Sequence, residues 1–312
     1  MAADGARAHD LVGLSATALG ADRDPVLQTH DGLLSTRGPR RATVVLGLPE
    51  GRAMRAPMDL AGAVALVTGA SRGVGHAIAV ALATAGADVA CAARATDAAP
   101  LKLPGTIDST VREIEARGRR GLAVPTDLSR PEQVEAMVAR TIETFGRVDI
   151  LVNNAAITFA GDSTLPMKRW DLVMEVNLRA PLLAAKAALA DMRTRRSGAI
   201  LNVSSAAAVM PIPGLLVYGV SKAGLERLTT GLAAEVGSHA IAVNCLRIDV
   251  PLASEGFVYN APELDKSDWE PPEVGAEAAL WMLAQPATYT GRVMGITDLR
   301  RDHGVAPTRL RA

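Results

Sequence analysis

Residues 63–75 read Ala-Val-Ala-Leu-Val-Thr-Gly-Ala-Ser-Arg-Gly-Val-Gly, and this stretch decides how the chain is expected to fold. The apolar run before the first glycine predicts a buried strand, and the residues after the last glycine have helical spacing. Glycines between a strand and a helix let the backbone turn tightly and approach an anion held by free N–H groups of the helix. The context therefore favours a phosphate-binding loop over an unliganded turn, and its predicted ligand-contacting residues are Gly69, Ser71, Arg72, Gly73, Val74 and Gly75.

Short apolar runs and longer amphipathic stretches continue to alternate along the chain. Strands are predicted at 63–68, 88–92, 121–124, 149–152, 199–203, 241–246 and 292–296, and helices near 74–85, 107–117, 131–145, 166–193, 215–236 and 272–284. Continuously apolar strands are typical of a parallel sheet that helices cover on both faces. The sequence therefore predicts a single α/β domain of the doubly wound, Rossmann type, with about seven strands and a ligand crevice at their carboxyl ends.

The regular pattern begins only near residue 58. Residues 1–57 show no sustained periodicity and are interrupted by Gly, Pro, Asp and Arg, so we predict a mostly disordered extension before one catalytic domain at 58–312. The apolar run at 44–46 is too short to found a domain. Met54 and Met58 leave open a second hypothesis, in which translation starts at one of them.

Composition excludes several classes of partner. The chain has 33 basic and 33 acidic residues, so no net charge attracts it to nucleic acid or to an anionic membrane. Cys91 and Cys245 form no zinc or redox motif and are predicted to be free thiols in the core, and no metal site is predicted. No secretory signal or membrane span is apparent, which favours a cytoplasmic protein.

The end of the second predicted strand bears on the choice of nucleotide. A dinucleotide site usually has an acid about 20 residues after the glycine loop, where it binds the ribose hydroxyl. Here that position is Ala93, followed by Arg94, and a second cation, Arg72, lies inside the loop. Two arginines where a carboxylate is missing favour NADP(H) over NAD(H), because arginine binds a phosphate through paired hydrogen bonds. The alternative is that both are solvated surface charges.

A second constellation lies further along the chain. Tyr218 and Lys222 are spaced i and i+4 on a predicted helix, and Ser205 ends the strand before it. To act as a base at neutral pH, a tyrosine needs on the order of 4 kcal/mol of stabilisation of its anion. A cation about 4 Å away would supply roughly that amount at an effective dielectric constant of about 20. We therefore expect Lys222 to lower the pKa of Tyr218, and Ser205 to hold the substrate oxygen.

Taken together, these residues resemble the short-chain dehydrogenase/reductase family over about residues 60–300. The resemblance implies that Tyr218 is the general acid or base, and that Tyr218 and Lys222 also contact the cofactor. It further implies that Asp127 bonds the adenine, that Asn154 and Ala155 line the nucleotide pocket, and that Asn177 holds a water joining Lys222 to solvent. From the residues alone, Asp127 is equally well explained as a helix cap.

The chain departs from the family pattern after the sixth predicted strand. Ile248-Asp249 stands where the family has Pro-Gly, and Ala253 stands at a threonine position for which Ser254 is a substitute. Asp249 is either a cation-recognising group or a solvated charge. Residues 254–271 are predicted to form a substrate lid, whose aromatic side chains either contact an apolar substrate or pack the lid onto the body.

The sequence thus predicts an NADP(H)-dependent oxidoreductase that interconverts a carbonyl and an alcohol, acts on a small molecule and forms a homo-oligomer, a dimer or tetramer. Two alternatives stay open: an NAD-dependent alcohol dehydrogenase, and a non-catalytic protein that senses a nucleotide.

Overall fold

The computed structural model describes residues 58–260 and 262–309. Its strands β1 to β7 are Val64–Thr68, Asp88–Ala93, Gly121–Pro125, Ile150–Asn153, Gly198–Ser205, Ile241–Ile248 and Val293–Gly295. Its helices α1 to α9 are Gly73–Thr84, Ile107–Glu115, Pro131–Phe145, Met167–Met174, Ala180–Arg195, Leu216–Val236, Glu255–Asn260, Glu273–Leu283 and Ile296–His303. The predictions for residues 1–57, including the run at 44–46 and a start at Met54, lie outside the described residues.

All strand pairs are parallel, and their order across the sheet is β3-β2-β1-β4-β5-β6-β7. The winding direction changes between β1 and β4, so a crevice is expected where these two strands end, at Thr68 and Asn153. The predicted doubly wound parallel sheet is confirmed.

Each face of the sheet has its own apolar layer. On one face Ile78, Leu82 and Val274 of α1 and α8 are buried against the sheet, and on the other Met137 and Leu189 of α3 and α5 are buried. Both layers bury the strands, which is why the strand sequences do not alternate between polar and apolar residues. Cys91 and Cys245 lie within strands as free, buried thiols, as predicted.

The long helix predicted over 166–193 is interrupted. Helix α4 passes through a π-helical turn, Glu175–Arg179, into α5. Turns of this kind are frequent at functional sites. Asn177 lies in this turn.

The carboxyl-terminal part differs from the prediction. Strand β7 ends at Gly295, and Ile296, predicted as the last residue of this strand, begins α9 instead. Acidic side chains explain the change: Asp298 accepts a hydrogen bond from the Gly295 N–H at 3.1 Å, and Asp249 accepts one from the Thr297 N–H at 3.1 Å. Both bonds satisfy N–H groups at the start of the helix.

Among the helices in the described ranges, none is both long enough and apolar enough to cross a bilayer.

Candidate active site

The glycine loop leaves no room for side chains at its turns. Gly69 and Gly73 have φ angles of +68° and +56°, a region that favours glycine. A Cβ atom at Gly75 would overlap the Gly69 carbonyl oxygen and Asn154 Nδ2. Helix α1 therefore approaches the end of β1 closely. Its N-cap residue, Arg72, makes no side-chain capping bond, which leaves N–H groups of the first turn for an anion.

Thr68, which the sequence analysis left without a role, ties the loop after β4 to the glycine loop. Its hydroxyl accepts hydrogen bonds from the N–H groups of Asn154 at 3.1 Å and Ala155 at 3.2 Å, and donates to the Val152 carbonyl at 3.2 Å. Asn154 Nδ2 donates to the Thr68 carbonyl at 2.9 Å. In the sequence, only the position of this threonine at the end of the first predicted strand pointed to such a role. The structure thus brings Asn154 and Ala155 to the glycine loop.

The two arginines and Asp127 are electrostatic neighbours. Burial lowers the pKa of the Arg72 guanidinium; the Glu255 carboxylate opposes this shift and the Arg94 charge adds to it. Burial would raise the pKa of Asp127, but hydrogen bonds from Ser129 and the charge of Arg94 outweigh it, so the pKa is lowered. Arg130 and not Asp127 is the N-cap of α3. Asp127 instead accepts two bonds from Ser129, at 3.0 Å from its N–H and 2.8 Å from its hydroxyl.

The state of Arg72 tests whether a phosphorylated nucleotide fits this neighbourhood. Its Nη2 donates to the Gly105 carbonyl at 3.1 Å, whereas its buried Nε has no hydrogen-bond partner. An unsatisfied buried donor costs about 1–3 kcal/mol, and a second guanidinium nearby adds repulsion. A phosphate would relieve both, so the residues present fit such a group.

Ser205, Tyr218 and Lys222 meet at the carboxyl end of the sheet. Ser205 ends β5, while Tyr218 and Lys222 lie one turn apart on α6. The Ser205 hydroxyl is close enough to the Tyr218 phenol to act on its pKa. Lys222 is buried, its Nζ lies 5.6 Å from the centroid of the Tyr218 ring, and it donates to the Val203 carbonyl at 2.7 Å.

The pKa values of this trio differ from the expectation. Burial lowers the pKa of Lys222 from 10.5 to about 8, opposed by Cys245 and Glu226. Burial also raises the pKa of Tyr218 above 10.0, although the Ser205 hydrogen bond acts in the other direction. The expected lowering of the tyrosine pKa by Lys222 is therefore wrong for this structure. Desolvation of the phenol dominates, and the ammonium group is hydrogen-bonded to a strand carbonyl.

Asn177 connects the loop after β4 with α6. Its side-chain oxygen accepts from the Ile157 N–H at 2.8 Å, and its Nδ2 donates to the Ile157 carbonyl at 2.9 Å and to the Ser221 hydroxyl at 3.1 Å. Ser221 in turn donates to the Tyr218 carbonyl at 2.7 Å. Asn177 thus holds the backbone around Tyr218, and its relay role stays a prediction.

Glu226 is a further supporting residue that the sequence analysis missed. It lies one turn after Lys222 and accepts two hydrogen bonds from Arg247, at 2.8 and 2.7 Å, and one from Ser204 at 2.8 Å. Because Ser204 and Arg247 are on β5 and β6, this carboxylate ties the ends of both strands to α6. Its position i+4 to Lys222 was the available signal.

The departures from the family pattern have structural explanations. Both carboxylate oxygens of Asp249 are hydrogen-bonded to Thr297 at an exposed position, so Asp249 caps α9 and is closer to the solvated charge than to the cation-recognising group. The hydroxyl of Ser254 accepts from the Phe257 N–H at 3.3 Å at the start of α7.

Of the aromatic side chains of the predicted lid, Trp269 is buried, whereas Phe257 and Tyr259 are partly exposed. The ring of Phe257 stacks on Trp269 with centroids 4.3 Å apart, and Trp269 is buried. Tyr259 is hydrogen-bonded to Lys102. The structure therefore assigns packing to Trp269, while substrate contact by Phe257 and Tyr259 stays a prediction.

The chain is similar in sequence to a known family and to several named proteins. Residues 63–250, more than half of the chain, match the short chain dehydrogenase family. The chain is 35% identical over 250 residues to hydroxysteroid dehydrogenase-like protein 2 of Xenopus tropicalis, which covers 79% of this chain and 59% of that protein. The human protein of the same name is 34% identical over 250 residues, with the same coverage of 79% and 59%. This chain therefore spans less than two thirds of the length of these curated relatives.

A solved structure resembles the chain over most of its length. L-Sorbose reductase from Gluconobacter frateurii, complexed with NADPH and L-sorbose, has a TM-score of 0.69 and 30% identity, and the match covers 76% of this chain and 97% of that one. Fold, site and sequence match together define a dinucleotide-binding α/β protein. The chain belongs to the short-chain dehydrogenase/reductase family.

Proposed function

We propose that this chain is an NADP(H)-dependent oxidoreductase that interconverts a carbonyl and an alcohol, and that it acts in the cytoplasm as a homo-oligomer. The observation that carries the proposal is the arrangement of Ser205, Tyr218 and Lys222 at the same sheet edge as the glycine loop. When bound, the nicotinamide cofactor supplies or accepts the hydride. Membership of the dehydrogenase family supports this chemistry.

The side chains of the site bind the substrate, transfer the proton and contact the cofactor. Ser205 holds the substrate oxygen by a hydrogen bond, and Tyr218 transfers a proton to that oxygen or removes one from it. Lys222 and Asn154 contact the nucleotide, and Asn177 keeps the backbone around Tyr218 in place. Burial raises the pKa of Tyr218, so the phenol is protonated at neutral pH, the form that can donate a proton to a carbonyl oxygen.

The preference for NADP(H) rests on Arg72 and Arg94, with Ala93 at the position of the usual acid. Dissociation constants for NADPH and NADH, measured by fluorescence titration, test it directly. We expect tighter binding of NADPH, and we expect Arg94→Ala to weaken NADPH binding about tenfold or more while changing NADH little. Arg140→Ala, which removes an exposed arginine on α3, is the control. Tighter binding of NADH would favour the NAD-dependent alternative.

Activity separates the enzyme from the nucleotide sensor. Val209, Met210 and Ile212 are exposed on the connection between Ser205 and Tyr218, so the carbonyl panel should include apolar compounds. A ketosteroid and L-sorbose belong in it because of the names of the relatives. Tyr218→Phe removes only the hydroxyl and should reduce turnover about 100-fold or more with NADPH binding retained. Equal rates would contradict the role of Tyr218, and NADPH binding without turnover of any compound would favour the sensor.

A further inference from the structure

The lid begins directly on the glycine loop. Ser254 caps α7, and a Cβ atom built on Gly73 would lie 2.9 Å from Ser254 Cβ and 3.5 Å from Glu255 Oε2. Gly73 is the first residue of α1, where N–H groups and the helix dipole favour an anion. The Glu255 carboxylate therefore lies where the phosphates of a nucleotide are expected.

The connection between β2 and α2 contacts both the lid and the glycine loop. Lys102, between β2 and α2, donates to the Tyr259 hydroxyl, and its Nζ lies 4.7 Å from the Tyr259 ring centroid. Gly105 of the same connection accepts the hydrogen bond from Arg72. The connection between β2 and α2 thus contacts α7 through Lys102 and the glycine loop through Gly105.

The charge of Glu255 acts on the proposed phosphate site. It stabilises the protonated form of Arg72, against the burial and the Arg94 charge that disfavour it. Any anion that binds Arg72 must share this cation with Glu255 and also meets the repulsion of the carboxylate. Removing the carboxylate should therefore strengthen anion binding, and more so for the more highly charged ligand.

We propose that Glu255 is a specificity-determining residue of the nucleotide site, whose negative charge weakens binding of a dinucleotide with a 2′-phosphate and so narrows the preference for NADP(H) over NAD(H). The inference rests on the proposed function, because it assumes that nucleotide phosphates bind at Gly73 and Arg72. Both dinucleotides carry a pyrophosphate, but only NADPH adds a third phosphate group. Glu255 consequently acts on both ligands and acts more strongly on NADPH.

Equilibrium binding tests the proposal without turnover. Dissociation constants for NADPH and NADH are measured by isothermal titration calorimetry with the wild type, Glu255→Gln and Glu255→Lys. The control, Glu263→Gln, removes the same charge from an exposed position of the same segment. We expect Glu255→Gln to tighten NADPH binding about three- to tenfold and NADH binding less, Glu255→Lys to exceed it, and Glu263→Gln to have little effect. The increase in NADPH affinity caused by Glu255→Gln should be smaller in about 0.5 M salt, because salt screens exposed charges.

The outcomes distinguish this proposal from the proposed function. If the wild type binds NADPH more tightly than NADH but Glu255→Gln leaves both constants unchanged, the role of Glu255 is refuted and the proposed function stands. The specificity role of Glu255 is also refuted if Glu255→Gln tightens NADPH and NADH binding by the same factor. It is refuted as well if Glu263→Gln tightens NADPH binding as much as Glu255→Gln does. If the wild type binds neither dinucleotide, the proposed function fails and this inference fails with it.

Discussion

Replacing Lys222 by methionine should stabilise the fold at neutral pH while removing activity. The side chain is buried, and burial lowers its pKa from 10.5 to about 8. Each pKa unit corresponds to about 1.4 kcal/mol, so holding the charged ammonium in the folded state costs about 3 kcal/mol at pH 7. Methionine removes that cost but also removes the hydrogen bond to the Val203 carbonyl, worth about 1–2 kcal/mol. A net gain of about 1–2 kcal/mol is expected at pH 7.

The pH dependence is the sharper part of this prediction. Below pH 8 both folded and unfolded wild type hold the Lys222 proton, and the cost is fully present. Between the two pKa values only the unfolded state holds it, so wild-type stability rises with pH by about 1.4 kcal/mol per unit. The advantage of Lys222→Met should therefore shrink by about 2 kcal/mol between pH 7 and pH 9.5. Other titrating groups are common to both proteins and cancel in the difference.

Urea unfolding followed by tryptophan fluorescence measures the two free energies at each pH. Lys186→Met, at an exposed position on α5, is the matched control and should show no such pH-dependent difference. The reasoning is refuted if Lys222→Met and wild type differ by the same free energy at pH 7 and pH 9.5. It is also refuted if the variant retains wild-type carbonyl reduction, since Lys222 would then have no part in the proposed site.

Three further predictions concern the frame of the site. Gly75→Ala should abolish NADPH binding and lower the melting temperature, because its Cβ would overlap the Gly69 carbonyl. A Cβ at Gly237 would meet open space, so Gly237→Ala is the control and should fold normally. Equal NADPH binding by the two variants would contradict the close approach of α1 to the end of β1. Arg247→Leu should lower the free energy of unfolding by about 2–4 kcal/mol, measured in urea, because it leaves the partly buried Glu226 without its cation; a change below about 0.5 kcal/mol would show that the pair is not stabilising. Leu228→Glu should convert the proposed oligomer to a monomer, as measured by light scattering. Leu228 lines an open groove of about 890 Å³ between α4, α5 and α6, where we expect a second copy. An unchanged mass would place the interface elsewhere.

Local rules were sufficient for the fold class and for much of the candidate site. Strand and helix periods are short-range properties, so the doubly wound sheet followed from the alternation of apolar runs. The glycine loop and the Tyr218–Lys222 spacing are also local, since a turn and an i, i+4 pair depend only on neighbouring residues. That Arg72 and Arg94 would be neighbours followed from the order of strand and loop at the carboxyl edge.

Tertiary contacts decided the rest, because they join residues far apart in the chain. Asp249 caps a helix through hydrogen bonds to Thr297, 48 residues away, and Tyr259 is hydrogen-bonded to Lys102, 157 residues away. No periodicity encodes such pairs. The pKa values of Tyr218 and Lys222 depend on burial by the whole fold, and that burial reversed the expected direction for the tyrosine. The sequence alone thus determined which chemical groups are available, while three-dimensional packing set their charge state, their supports and the place of Glu255 beside the glycine loop.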